Sequence, residues 1–208
     1  MSNHEANFFH LLDWSPFVTD IREQHPLLPL GETMALAEEN HIKHPTDPRT
    51  KFPIVMTTDF LIDERRSGST TEYARTVKPA KDLCSERVLQ KFEIERRYWL
   101  RRGVDWGIVT ERELPTELVK NIEWIHPYRD VTGKINVSSS EVEKAEVIMA
   151  ELICQGLPLA GSASACDDRL GLAPGTGLTL VRHFLANRRW SIDMTKLINP
   201  QRPVTFLT

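Results

Sequence analysis

The chain has little cysteine. Its three residues, Cys84, Cys154 and Cys166, are far apart and odd in number. No C-x-x-C pair exists, so neither a zinc site nor a disulfide framework is indicated, and a reduced, cytoplasmic setting is expected. No apolar run reaches the roughly 18 residues that a membrane span needs. The opening "MSNHEANFF" lacks the charged and apolar regions of a secretory signal. A basic excess is also missing: 26 Lys and Arg stand against 29 Asp and Glu, for a net charge of -3. Free-standing nucleic-acid binders commonly carry such an excess. Any contact with DNA is therefore expected to be local, or shared with a partner. Internal repeats and low-complexity segments are absent. The glycines of "GLAPGTG" are not followed by G-K-[ST], which excludes a P-loop and leaves a turn into a helix.

What is present is a 40% hydrophobic chain of 208 residues, enough for one large core or for a medium domain with a small one. "NHEANFFHLLDW" has a helical apolar face, and "PFVTDIREQHPLLPL" reads as a strand followed by an extended segment. "ALAEENHIKHPTDPRTKFP" is a short helix and a loop. "VMTTDFLID" and "ARTVKPAK" are strands joined by the polar stretch "ERRSGSTT", which suits a hairpin turn. "DLCSERVLQKFEIERRYWLRRG" predicts a long helix, capped by Asp82 or Ser85 and ended by Gly103. "VDWGIVT" is a further strand, and "PTELVKNIEWI" a helix with Thr116 as its N-cap. These elements predict an α/β domain with a mixed sheet flanked by helices over residues 1–130. The Pro, Gly and Ser of "HPYRDVTGKINVSSS" mark a boundary. Beyond it, residues 138–208 predict three helices and a hairpin around "NPQRP", the pattern of a small winged-helix domain.

The strands carry an unexpected pair of charges. Alternation places Val55, Thr57, Asp59 and Leu61 on one face of the first, and Thr76 and Lys78 on one face of the second. A strand carboxylate facing a lysine suits Mg²⁺ and phosphodiester hydrolysis, because Mg²⁺ prefers oxygen ligands and the ammonium orients water or offsets phosphate charge. Two helical glutamates extend the set. Glu5 shares the stripe of Phe8, Phe9 and Leu12, and Glu95 shares that of Val88, Phe92 and Trp99. A glutamate on a core-facing stripe is costly unless paired or bound to metal. The bland alternatives are a strand-ending Asp59, a solvated Lys78, a Glu5 in a frayed helix and a Glu95 paired with Arg96 or Arg101. His41 and His44 in "NHIKHP" read as solvated loop histidines, Cys166 as structural, and "ERRYWLRRG" as the exposed face and last turn of a helix.

The stretches "VTDIREQHPLLPL", "HIKHP", "VMTTDFLID", "VKPAKDL", "SERVLQKFEIERRYWLRRGVDWGIVTERE" and "NIEWI" together resemble the TnsA family, the endonuclease subunits of heteromeric cut-and-paste DNA transposases. They run in order between about Glu5 and Tyr128. The resemblance implies a restriction-endonuclease-like fold and a Mg²⁺-dependent endonuclease, with Mn²⁺ as a substitute, that cuts the 5′ strands at transposon ends. It implies three partners: DNA at those ends, the DDE-type recombinase TnsB that cuts and joins the 3′ ends, and the AAA+ regulator TnsC. Carried over by position, the family's catalytic set falls on Glu5, Asp59, Lys78 and Glu95, with Glu5, Asp59 and the carbonyl of Val77 as metal ligands. Two departures stand out. Thr76 occupies the place of an acidic residue or glutamine, and four residues precede Glu5 where the family has a longer segment. An adaptor with an impaired site, linking the recombinase to the ATPase, is the alternative function. A stand-alone restriction or junction-resolving nuclease is a third.

Overall fold

Apolar residues that feed two separate cores and one two-residue turn build the sheet. The structure, a computed structural model, describes residues 2–207. Strand β1 (Val18–Pro26) pairs antiparallel with β2 (Thr57–Arg66), which pairs antiparallel with β3 (Ser69–Val77). Ser67 and Gly68 close the β2–β3 hairpin with φ of 49° and 83°. Positive φ at both central residues is the primed turn that matches strand twist. Strand β4 (Asp105–Val109) then joins β3 in parallel, so the sheet is mixed, in the order β1-β2-β3-β4.

A parallel neighbour requires a crossover, and the long amphipathic helix α3 (Glu86–Leu100) supplies it between β3 and β4. Helices α1 (Asn3–Trp14) and α2 (Leu30–Glu39) complete the first unit. One core contains Leu36 of α2, Leu61 of β2, Ala74 of β3 and Ile94, Tyr98 and Trp99 of α3. The other joins Phe60, Ile62, Val77 and Val109 of the sheet to Phe8, Phe9 and Leu12 of α1. The α1 stripe is therefore a packing face, as its spacing predicted. In "ERRYWLRRG" the aromatic residues are core, while Arg101 and Arg102 reach back to Glu39 and Glu32 of α2.

One cap position is as expected and one is not. Ser85 holds the N-cap position of α3 without a side-chain bond, and Asp82 lies in a preceding short 3-10 turn, Ala80–Cys84. The next helix, α4 (Thr116–Ile125), has Pro115 in its N-cap position, and Thr116 is already helical.

The chain divides at Leu114/Pro115 rather than at the expected boundary after residue 130. The reason is packing: Val119, Ile122 and Ile125 of α4 are buried, and α4 contacts a helix of the second unit. That unit contains α5 (Ser139–Cys154), α6 (Leu159–Leu170) and α7 (Thr176–Ala186). Ser138 and Glu141 form a reciprocal capping box on α5. Asp167, buried in α6, accepts the N–H groups of Gly175 and Gly177 and so fixes the "GLAPGTG" turn into α7. The three predicted helices form, but the predicted wing hairpin does not. Among the described residues it is reduced to one bridge, Ile192↔Phe206. Pro200 and Pro203 cannot donate to a ladder. The buried Asn121 bonds the carbonyls of Met194 and Lys196 and the N–H of Ile198 instead.

Candidate active site

The sheet opens at one end, and the sequence-predicted residues gather there. Pairing between β2 and β3 begins at Phe60↔Arg75, so Asp59 has no backbone partner on β3. Its carboxylate takes up the orphaned donor: the Val77 N–H donates to Asp59 Oδ2 at 2.8 Å. On the other side, Gln24 Nε2 of β1 donates to Asp59 Oδ1 at 3.0 Å. Simple alternation fails here. Thr58 and Leu61, three apart, both belong with α3, since Thr58 reaches Glu95 and Trp99 while Leu61 packs in the α3 core.

A cavity of about 370 Å³ opens at this point, and Glu5, Asp59, Thr76, Val77, Lys78 and Glu95 are among its walls. The structure thus brings all four candidate catalytic residues and Val77 to one cavity. Glu5 stands in the first turn of α1, where the Ser2 hydroxyl donates to its carboxylate at 2.8 Å. Lys78 follows β3. Its N–H donates to the Val109 carbonyl, and its side chain, 37% exposed, has Asp82 Oδ2 at 3.9 Å. That partner of Lys78 was not anticipated. The backbone bond to β4 aims Lys78 without spending its ammonium.

Glu95 is the most buried charged residue of the set, only 3% exposed. Three donors converge on its Oε1: the hydroxyl of Thr58 at 2.6 Å, the hydroxyl of Thr76, and Trp106 Nε1 of β4 at 3.0 Å. Thr58 in turn accepts from Trp99 Nε1 at 2.7 Å. The surface pairing with Arg96 or Arg101 does not occur, because Arg96 bonds Glu93 and Arg101 bonds Glu39. Burial outweighs the donors and pushes the Glu95 carboxyl up to about 7, with the charge of Asp59 acting in the same direction. Burial also raises the Asp59 carboxyl above its usual range. The bonds from Val77 and Gln24 oppose that rise, Glu5 adds to it, and Lys78 draws it down. A carboxyl pair raised by burial, in a cleft beside an ammonium, marks a functional-site candidate.

The residues expected to hold a metal, Asp59, Glu5 and Val77 through its carbonyl, would all offer oxygen. Hard oxygen donors suit Mg²⁺ and Mn²⁺ rather than zinc or copper. Among the described residues no group of three or more His, Cys, Asp and Glu side chains forms a ready metal cage. The Thr76 hydroxyl donates its proton to Glu95. His44 is bonded to Thr33 and the Pro45 carbonyl and acts as a structural pin. Cys166 is buried, and its thiol is pushed up by that burial, which suits an inert core residue. A second cavity, of about 410 Å³, lies in the second unit among Asp193, Lys196, Asn199 and Arg202. It holds no comparable cluster of carboxylates. Sequence reasoning missed Gln24, Thr58 and Trp106. The signal for Thr58 was available, as a second polar residue inside an apolar strand.

Comparison with known proteins agrees in both halves. The family profile described as "TnsA-like endonuclease N terminal" matches residues 15–111, and that described as "TnsA endonuclease C terminal" matches residues 113–194. The chain is similar to "Transposon Tn7 transposition protein TnsA" of Escherichia coli, at 39% identity over 160 residues. That match covers 77% of this chain and 52% of the relative, so the chain spans about half the relative's length. With one profile on the sheet unit and the other on the helical unit, the chain belongs to the TnsA-like endonuclease family.

Proposed function

We propose that this chain is the DNA-cutting subunit of a cut-and-paste transposase, hydrolysing the 5′ strands at transposon ends on a restriction-endonuclease-like sheet with Mg²⁺. The observation that carries this reading is the convergence of Glu5, Asp59, Lys78 and Glu95 on one cavity at the open end of the sheet. Asp59, Glu5 and the Val77 carbonyl would hold Mg²⁺, with Mn²⁺ as a substitute. When bound, the ion lowers the pKa of its water and offsets charge on the scissile phosphate. Lys78 orients the attacking water and faces the phosphate with a positive charge. Glu95, fixed by Thr58, Thr76 and Trp106, holds the helix side of the cavity rigid and stores a proton near neutral pH.

The near-balanced net charge of -3 favours DNA binding through a partner, a DDE-type recombinase of the TnsB kind, with an AAA+ regulator of the TnsC kind controlling both. Little cleavage is expected from the chain alone. The test is a reconstituted reaction on transposon-end DNA with Asp59→Ala or Lys78→Ala. Cutting of the 5′ strand is expected to stop while assembly persists, leaving fused products from 3′ joining. Unchanged 5′ cutting would instead mark the chain as an adaptor, a reading that the commitment of Thr76 to Glu95 favours.

A further inference from the structure

Gln24 is a left-handed residue in the middle of a strand. Its φ is 48°, and it sits between the regular pairs Glu23↔Phe60 and His25↔Thr58 of β1 and β2. L-residues avoid this region, and strand interiors offer no turn that would call for it. Packing does not impose it, because the Gln24 side chain is exposed. What holds it is a pair of hydrogen bonds. The Thr57 hydroxyl donates to Gln24 Oε1 at 3.1 Å, and Gln24 Nε2 donates to Asp59 Oδ1 at 3.0 Å. The amide orientation follows from chemistry, since an ionised carboxylate only accepts and the amide nitrogen must face it. Val77 N–H grips the other oxygen, Oδ2, at 2.8 Å.

We infer that Gln24 is a positioning residue for Asp59, bent into a strained backbone so that its amide locks the carboxylate with its remaining lone pairs toward the cavity. This deepens the reading of Asp59 as a ligand of a divalent ion, and rests on it. Strain of this kind persists at sites where geometry is worth more than stability. Mutating a partner that orients a ligating group typically costs about 10- to 100-fold in affinity for the ion or in activity. Gln24 also explains how a carboxylate survives on a strand with no partner across the sheet: the two neighbouring strands each send one donor to it.

Glycine adopts φ near 48° freely, which separates the backbone from the side chain. The experiment uses the full chain, Mn²⁺ as the probe, the electron paramagnetic resonance signal of free Mn²⁺ as the binding readout, and the urea midpoint as the stability readout. Gln24→Gly is expected to raise the urea midpoint and to weaken Mn²⁺ binding about tenfold or more. Gln24→Ala, which lacks the side-chain bonds but, unlike glycine, still disfavours a left-handed φ, is expected to lose Mn²⁺ affinity equally without the gain in midpoint. Gln24→Gly and Gln24→Ala binding Mn²⁺ within about twofold of the parent would overturn the positioning role, twofold being far short of the tenfold loss such partners cause. Asp59→Ala binding Mn²⁺ as tightly as the parent would instead sink the metal reading, leaving that failure distinct from the first.

Discussion

Replacing Glu95 by glutamine is expected to make the metal-free protein more stable at pH 8 and to leave it unchanged at pH 4. The Glu95 carboxyl titrates at an ordinary 4.5 when exposed and at about 7 in the folded chain, chiefly because it is buried. Below pH 4.5 it is protonated in both states. Between 4.5 and about 7 the unfolded chain has released the proton and the folded chain retains it. The folded state then binds more protons, so stability falls as pH rises. Above about 7 the loss is complete. The interval corresponds to about 3 kcal/mol, at roughly 1.4 kcal/mol per pH unit, an order-of-magnitude figure. A glutamine keeps an Oε1 for Thr58, Thr76 and Trp106 and has no proton to lose. The assay is urea unfolding of both proteins from pH 4 to 8 in chelator, compared as a difference so that other titrations cancel. The difference is expected to grow from near zero to about 3 kcal/mol in favour of Glu95→Gln. Curves that run parallel across that range, or that diverge toward acid pH, would refute a buried, protonated Glu95.

Two further substitutions test the second unit. A Cβ built on Gly177 would lie 2.5 Å from the Ala163 carbonyl oxygen, where α7 meets α6. Gly177→Ala is therefore expected to cost about 1–3 kcal/mol by urea midpoint, and a neutral result would mean the helices are not in such close contact. Ser138→Ala removes the hydroxyl that caps α5 and anchors Glu141. A loss of about 1 kcal/mol is expected in the same assay, and a loss near zero would remove the capping box as a stabilising device.

Both errors in the second unit share one cause. The boundary was drawn at a polar, proline-bearing stretch, but α4 lies ahead of it and buries Val119, Ile122 and Ile125 in the second unit. Local composition marks where a chain bends, not which core a helix joins. The wing was read from two short apolar runs around "NPQRP". Its backbone groups instead find the amide of Asn121, some 73 to 77 residues away in sequence. Periodicity carries no record of so distant a partner. The helices themselves were legible because each has a 3.6-residue apolar stripe, which survives whatever the stripe packs against.

The site was legible for a different reason. Asp59 and Glu95 stood out as charges where the pattern asked for apolar residues, and such violations concentrate where function overrides stability. The pattern could not say what reconciles them with the fold, because the reconciling groups look ordinary in sequence. Trp106 reads as a strand aromatic, and Gln24 as one more polar residue of a strand. Each becomes specific only once β2 leaves β3 beyond Phe60 and opens a gap. In a continuous ladder the Val77 N–H would meet a carbonyl of β2, and Asp59 would be an unpaired charge on a sheet. In the opened sheet the same carboxylate supplies the missing acceptor at 2.8 Å. The break in the ladder and the aspartate thus account for each other: without Asp59 the splayed strand would leave a donor unsatisfied, and without the splay the carboxylate would have no cavity to face.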